Sequence, residues 1–225
     1  MSECSRRKFM GGVGALLVTS SVVATLPSKQ KKETGKPIRY AMLHDEQKCI
    51  GCTACMDACR ETNHVPEGVS RLEIFRTKVG GEFPDVKYDF FRQSCQHCTD
   101  APCVSVCPTG ASFVEKETGI VDVNKDLCIG CQYCVAACPY RVRYVNPITK
   151  TIDKCNFCRD TNLAQGKLPA CVESCPTKAL TFGDVNDPNS EISMKLKTMP
   201  TYRTKVSLGT KPNLYHVPSK YGEIK

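Results

Sequence analysis

The 225-residue chain contains no tryptophan, only 7% aromatic residues and only four histidines. Its apolar fraction of 41% includes seventeen cysteines. What is left is about a third of the chain, too little for a large conventional core, so another source of cohesion is required. No C-x2-C-H occurs, which excludes covalent haem attachment. His97 is the single histidine inside a cysteine group, whereas a Rieske centre needs two. His97 therefore reads as a donor to sulfur or as plain loop. Nor does any nucleophile–base arrangement stand out, so neither catalysis nor a small-molecule substrate is expected.

Charge of one sign is also missing from the middle of the chain. The formal net charge is +8, but residues 1–32 carry six Lys/Arg against one Glu, residues 190–225 seven against two, and the segment between them 18 against 20. The basic residues form no single patch with interleaved aromatics, which argues against a nucleic-acid partner. The C-terminal net of +5, interspersed with Pro200, Pro212 and Pro218, predicts an extended basic arm over 190–225 with little core of its own, either solvated or docked on a partner.

At the other end, Ser5-Arg6-Arg7-Lys8-Phe9-Met10 precedes an uncharged run from Gly11 to Leu26. The run is too short, and too rich in Gly, Ser and Thr, for a membrane span. Residues 1–26 resemble a twin-arginine export signal, with Met10 in place of the usual Leu and Gly11 in place of the usual Lys. That route carries folded proteins. It would bring cysteines already ligated into an oxidising periplasm, where the expected place is peripheral to the inner membrane.

Sixteen cysteines fall into four groups: Cys49-x2-Cys52-x2-Cys55-x3-Cys59, Cys95-x2-Cys98-x4-Cys103-x3-Cys107, Cys128-x2-Cys131-x2-Cys134-x3-Cys138, and Cys155-x2-Cys158-x12-Cys171-x3-Cys175. Cys4 stands outside them and has no expected ligand role. Such spacing lets three close cysteines reach one [4Fe-4S] cube while the fourth points to a neighbouring cube. Sixteen ligands then make four cubes with none left over. Zinc sites usually draw on two separated pairs closing on one ion, which fits four consecutive runs poorly. Proline follows Cys107, Cys138 and Cys175, turning the chain where no N–H is needed. Arg60 takes that place in the first group, an exception the spacing does not explain. Four thiolate-held cubes would add about eight negative charges, making the folded body acidic.

The groups themselves repeat: CIGCTACMDAC at 49–59 resembles CIGCQYCVAAC at 128–138, and CVSVCPTGA at 103–111 resembles CVESCPTKA at 171–179. Between them, alternating stretches predict hairpins of Arg71–Lys78 with Val86–Arg92, Ala111–Glu115 with Gly119–Val123, and Arg141–Val145 with Thr149–Asp153. Arg141 and Arg143 are expected on one strand face, as solvated surface or as countercharge for a cluster. Short helices are expected after the third cysteine of a group. The fold class is α+β: duplicated bacterial ferredoxin-like (2x[4Fe-4S]) domains with a long extended C-terminal arm.

On these motifs, together with GEFPDVKY, CPYRVR, DPNSEIS and LGTKPNLY, the chain resembles the iron-sulfur subunits of membrane-associated bacterial oxidoreductases. Polysulfide, dimethyl sulfoxide and nitrate reductases have such subunits. The likeness is strongest to the NrfC-type subunit of formate-dependent cytochrome c nitrite reductase. The resemblance implies that groups one and four share two clusters, and groups two and three the other two. Carried over, Cys49, Cys52, Cys55 and Cys175 hold cluster 1, and Cys59, Cys155, Cys158 and Cys171 hold cluster 2. Cys95, Cys98, Cys103 and Cys138 hold cluster 3, and Cys107, Cys128, Cys131 and Cys134 hold cluster 4. It also implies a discontinuous domain over 38–94 plus 148–189 and a second over 95–147. The implied role is a non-catalytic relay from an integral membrane quinol-oxidising subunit to a periplasmic multihaem c-type cytochrome serving nitrite reduction. A molybdopterin oxidoreductase of polysulfide or dimethyl sulfoxide reductase type is the alternative client. A metal-stabilised interaction module without redox function is the reading from another class.

Overall fold

A computed structural model describes residues 37–221. The expected export signal at 1–26 lies outside them. Strand β1, Tyr40–Asp45, is the centre of a three-stranded sheet. Antiparallel β8, Leu180–Asp184, pairs Tyr40 with Asp184 and His44 with Leu180. On the other side β9, Leu214–Val217, runs parallel and pairs Met42 with Leu214. Five of the six β1 residues are buried, because both faces of the sheet are covered. Successive side chains point to opposite faces, so Met42 joins a core with Cys55, Cys59, Cys155, Cys171 and Cys175, while Ala41 and Leu43 pack with Ile192 and Val217.

The three hairpins form. β2, Leu72–Gly80, pairs with β3, Lys87–Ser94; β4, Ser112–Val114, with β5, Val121–Val123; and β6, Tyr144–Val145, with β7, Ile152–Asp153. The helices differ from expectation in position. α2 (Pro102–Ser105), α3 (Tyr133–Ala136) and α4 (Ala170–Glu173) each begin one residue before the third cysteine of a group rather than after it. Each stops before its Cys-Pro, since proline disfavours helical backbone at the residue ahead of it.

Arg60 explains the exception. With no proline after Cys59, α1 (Ala54–Thr62) runs on through Cys59 to nine residues. The Arg60 guanidinium then donates to the carbonyls of Pro66 at 2.6 Å and Val69 at 3.0 Å, closing the loop that follows.

The extended basic arm is not what the chain forms. Residues 191–198 are helix α5, Glu191–Thr198, capped by the Ser190 hydroxyl, which accepts from Ser193 N–H at 3.2 Å. Residues 214–217 are the strand β9 just described. Between them, Thr99 N–H donates to Lys211 O and Asn213 N–H to Gln96 O, at 3.0 and 2.7 Å, strapping the tail across the second cysteine group. Tyr202 donates to the buried Glu46 carboxylate at 2.5 Å. Counting prolines and lysines misread this stretch because four residues, Ile192, Leu214, His216 and Val217, supply the burial (each 1% exposed or less) that holds it.

Candidate cluster-binding sites

Loop backbone places the sulfurs. Gly51 and Gly130 occupy the same position in groups one and three with φ of 68° and 69°, and Thr53 and Gln132 follow at 62° and 64°. At Gly51 the space a Cβ would fill is taken by the Phe90 ring, so a left-handed glycine is needed both for the turn and for the close approach. Backbone N–H groups of nearby turns are aimed at sulfur. Ser112 N–H donates to Cys107 Sγ at 3.4 Å, Ala179 N–H to Cys175 Sγ at 3.3 Å and Ile152 N–H to Cys128 Sγ at 3.4 Å. Asn63 Nδ2 adds a side-chain contact to Cys158 Sγ at 3.3 Å.

Three cavities gather cysteines from separate groups. One of about 350 Å³ is lined by Cys49, Cys52, Cys55 and Cys175. A second, about 240 Å³, is lined by Cys59, Cys155, Cys158 and Cys171, and a third, about 310 Å³, by Cys95, Cys98, Cys103 and Cys138. Of the other four, Cys134 is buried, Cys107 and Cys128 are half-buried and Cys131 is exposed. Cys52 is the other exposed cysteine of the sixteen. Sets made only of sulfur suit a soft metal centre, and their convergence from distant segments fits iron-sulfur clusters.

Burial raises several of these thiols. Burial first, then the neighbouring sulfurs of the set, push Cys49 up to about 11 and Cys98 up to about 12. Cys59 is pushed up by the same causes, in the same order. At Cys103 burial raises the thiol to about 11, with Arg143 opposing, and at Cys171 burial raises it to about 12, with Arg92 opposing. Cys107 goes the other way: its slight burial is outweighed by the N–H groups of Ser112, Thr109 and Ala111 and by the Thr109 hydroxyl.

The two arginines opposing burial are themselves enclosed. Arg92 is fully buried on β3, on the strand face it shares with Phe90 and Ser94; Nη2 lies 3.7 Å from Cys171 Sγ and Nε donates to Ser94 Oγ at 3.2 Å. Sequence reading passed it over, because an arginine in a strand ordinarily faces water. The signal was its period-two spacing from Phe90. Arg141 and Arg143 do not share a strand face: Arg141 sits exposed in a left-handed turn at φ 53°, while Arg143 is buried ahead of β6 and lines the cavity of Cys95, Cys98, Cys103 and Cys138. His97 lies in the loop of the second cysteine group, as one reading had it, but it is enclosed there. It is fully buried, stacks on Phe157 at 3.6 Å, and its Nδ1 accepts from Val121 N–H at 3.2 Å.

Two 4Fe-4S dicluster domain families match the chain, one over residues 86–185 and the other over 48–111. The chain is 68% identical over 223 residues to the Protein NrfC homolog of Haemophilus influenzae, covering 99% of each. It is 67% identical over 220 residues to Protein NrfC of Escherichia coli, covering 98% of each. To the B subunit of the polysulfide reductase of Wolinella succinogenes it is 56% identical over 189 residues, 83% of this protein and 98% of that one.

Proposed function

Because the chain belongs to the NrfC family of iron-sulfur proteins that carry four [4Fe-4S] clusters, we propose that it relays single electrons from a membrane quinol-oxidising subunit to a periplasmic multihaem cytochrome for nitrite reduction. Each cluster, when bound, takes up and gives back one electron; no substrate chemistry is assigned to this chain. In this reading Cys49, Cys52, Cys55 and Cys175 hold cluster 1, and Cys59, Cys155, Cys158 and Cys171 cluster 2. Cys95, Cys98, Cys103 and Cys138 hold cluster 3, and Cys107, Cys128, Cys131 and Cys134 cluster 4. The two halves are 38–94 with 148–189, and 95–147.

One observation carries the reading of a relay: the cysteine sets form a series with exposed ends. Cys52 is exposed in set 1 and Cys131 in set 4, while all of set 2 is buried. Cys95 of set 3 packs in one buried core with Cys59, Cys155 and Cys171 of set 2, so sets 2 and 3 adjoin. Electrons can then enter at one exposed end and leave at the other. No helix of the described residues is long and apolar enough to cross a membrane. The quinol chemistry is assigned in this reading to a separate subunit. The export signal at 1–26 and a periplasmic location peripheral to the inner membrane complete the proposal.

The test is anaerobic copurification with the products of neighbouring genes, followed by quinol addition and stopped-flow absorbance. Bleaching of the iron-sulfur bands, then reduction of the cytochrome haems, is expected. Quinol-reduced clusters that leave the haems oxidised would overturn the choice of acceptor. The likeness to the polysulfide reductase subunit gives that outcome a specific alternative, a molybdopterin reductase as client.

A further inference from the structure

The described residues bury two kinds of cation. Arg71 sits 2.9 Å from Asp153, and Lys154 lies 3.8 Å from Asp122, so both have carboxylates. Arg92 and Arg143 have no carboxylate partner among the described residues, though they are 0% and 5% exposed. Arg92 Nη1 also lacks any hydrogen-bond partner there. A guanidinium taken out of water without a counter-anion is strongly unfavourable, so something else on the chain must neutralise these two.

Their neighbours are sulfurs from two sets each. For Arg92 these are Cys171, whose Sγ lies 3.7 Å from Nη2, with Cys155 and Cys59 of set 2 and Cys55 of set 1. For Arg143, which lines the cavity of set 3, they are Cys103 and Cys95 of that set and Cys134 of set 4. Each half of the duplicated chain therefore has one enclosed guanidinium between its two cysteine sets. The two come from unrelated positions, one on β3 before group two and one after Cys138, so the arrangement is not a by-product of the CIGC repeat.

Resting on the ligation proposed above, we infer that Arg92 and Arg143 are paired positioning charges: Arg92 raises the reduction potentials of clusters 1 and 2 together, and Arg143 those of clusters 3 and 4. Reduction adds one negative charge to a cluster, and a fixed cation in a water-poor site favours the more negative form. The fork geometry lets one guanidinium face two centres at once, which a lysine ammonium does less well.

The experiment is an anaerobic redox titration followed by electron paramagnetic resonance on the unmodified protein and on Arg92→Gln, Arg92→Lys, Arg143→Gln and Arg143→Lys. Arg92→Gln should lower the reduced-to-oxidised ratio of two clusters at least tenfold at a fixed potential, ~59 mV for a one-electron couple. The other two should move much less. Arg143→Gln should do the reverse, and the Lys variants should recover most of each shift. Unchanged potentials, a shift confined to one cluster, or equal shifts with Gln and Lys would overturn the inference. If a Gln variant fails to assemble, the Lys variant of that site and both variants of the other decide by the same criteria. A fault in the ligation reading would appear separately, as missing iron and sulfide in the unmodified protein.

Discussion

At the scale of single residues, sulfur and its near neighbours dominate. Cys175 lies in the last cysteine group yet lines a cavity with Cys49, Cys52 and Cys55 of the first. On the proposed ligation, Cys175→Ser should therefore damage the cluster assigned to those three, while Cys59→Ser harms the one assigned to Cys155, Cys158 and Cys171. Per-cluster resonance spectra would refute the crossed assignment if the damage followed sequence groups instead. Proton competition gives a second prediction. A thiol must lose its proton to bind iron, and burial raises those of Cys49 and Cys103 to about 11 and that of Cys98 to about 12. The empty form thus binds protons more tightly than a free thiol would, so acid favours it and rising pH favours the loaded form. Cluster loss, followed by visible absorbance, should accelerate as pH falls below neutrality and slow as pH rises.

Residues also mark how far the sequence could be read. The four cysteine groups were legible because spacing is a local property of the chain, whereas the meeting of distant groups in three shared cavities was implied only by the family resemblance. Arg92 was not legible, since its burial depends on which strand face meets sulfurs some eighty positions away. Arg143 was legible only in its chemistry: its neighbour Arg141, placed with it by alternation, turns out to water in a left-handed turn.

Among elements, the hairpins were visible from alternation, and the helices missed by about a residue because Cys-Pro ends them early. The tail was misread. Composition reports solvation, but α5 and β9 are held by a few deeply buried side chains. Ile192 is one of them, fully buried, with its Cγ2 atom 3.2 Å from where a Cβ on Gly183 would sit. Ile192→Ala leaves a cavity between α5 and the sheet. It should cost about 2–5 kcal/mol in anaerobic denaturant unfolding, with the iron content unchanged in the folded protein. Removing residues 190–225 is far more severe. It takes away β9, the strap over residues 96–100 and the Thr210 hydroxyl that lies 2.6 Å from that of Tyr140. Tyr140 in turn lines the cavity of Cys95, Cys98, Cys103 and Cys138. The truncated protein should lose iron, and cluster 3 first; a full complement of clusters would show that the tail is dispensable after all.

For the whole molecule, cohesion comes from the metal centres as much as from apolar contact. Of the fifteen buried residues in the main core, six are cysteines. The other two cores are smaller, of seven and four buried residues, and three of the seven are cysteines. Small cores of this kind need staples. Stripping iron with a chelator under reducing conditions should therefore abolish the cooperative unfolding transition and the near-ultraviolet circular dichroism, while leaving some far-ultraviolet signal. A chelated protein with an unchanged melting transition would contradict this.

The sheet at the centre of the molecule also sets a timetable. Its middle strand is the first the described residues make, and one of its two neighbours, β9, is the last. A ribosome adding about 5–20 residues each second leaves β1 with an open flank until almost the whole polypeptide has emerged. During that interval the wall carrying Met42 beside the sulfurs is unsupported on the β9 side. A prematurely terminated polypeptide never closes the sheet. Parallel closure between distant strands is slow, because the intervening loop entropy must be overcome before the pairing rewards it. The β9 pairing is thus the last contact of the sheet to form, after every grouped cysteine has been made.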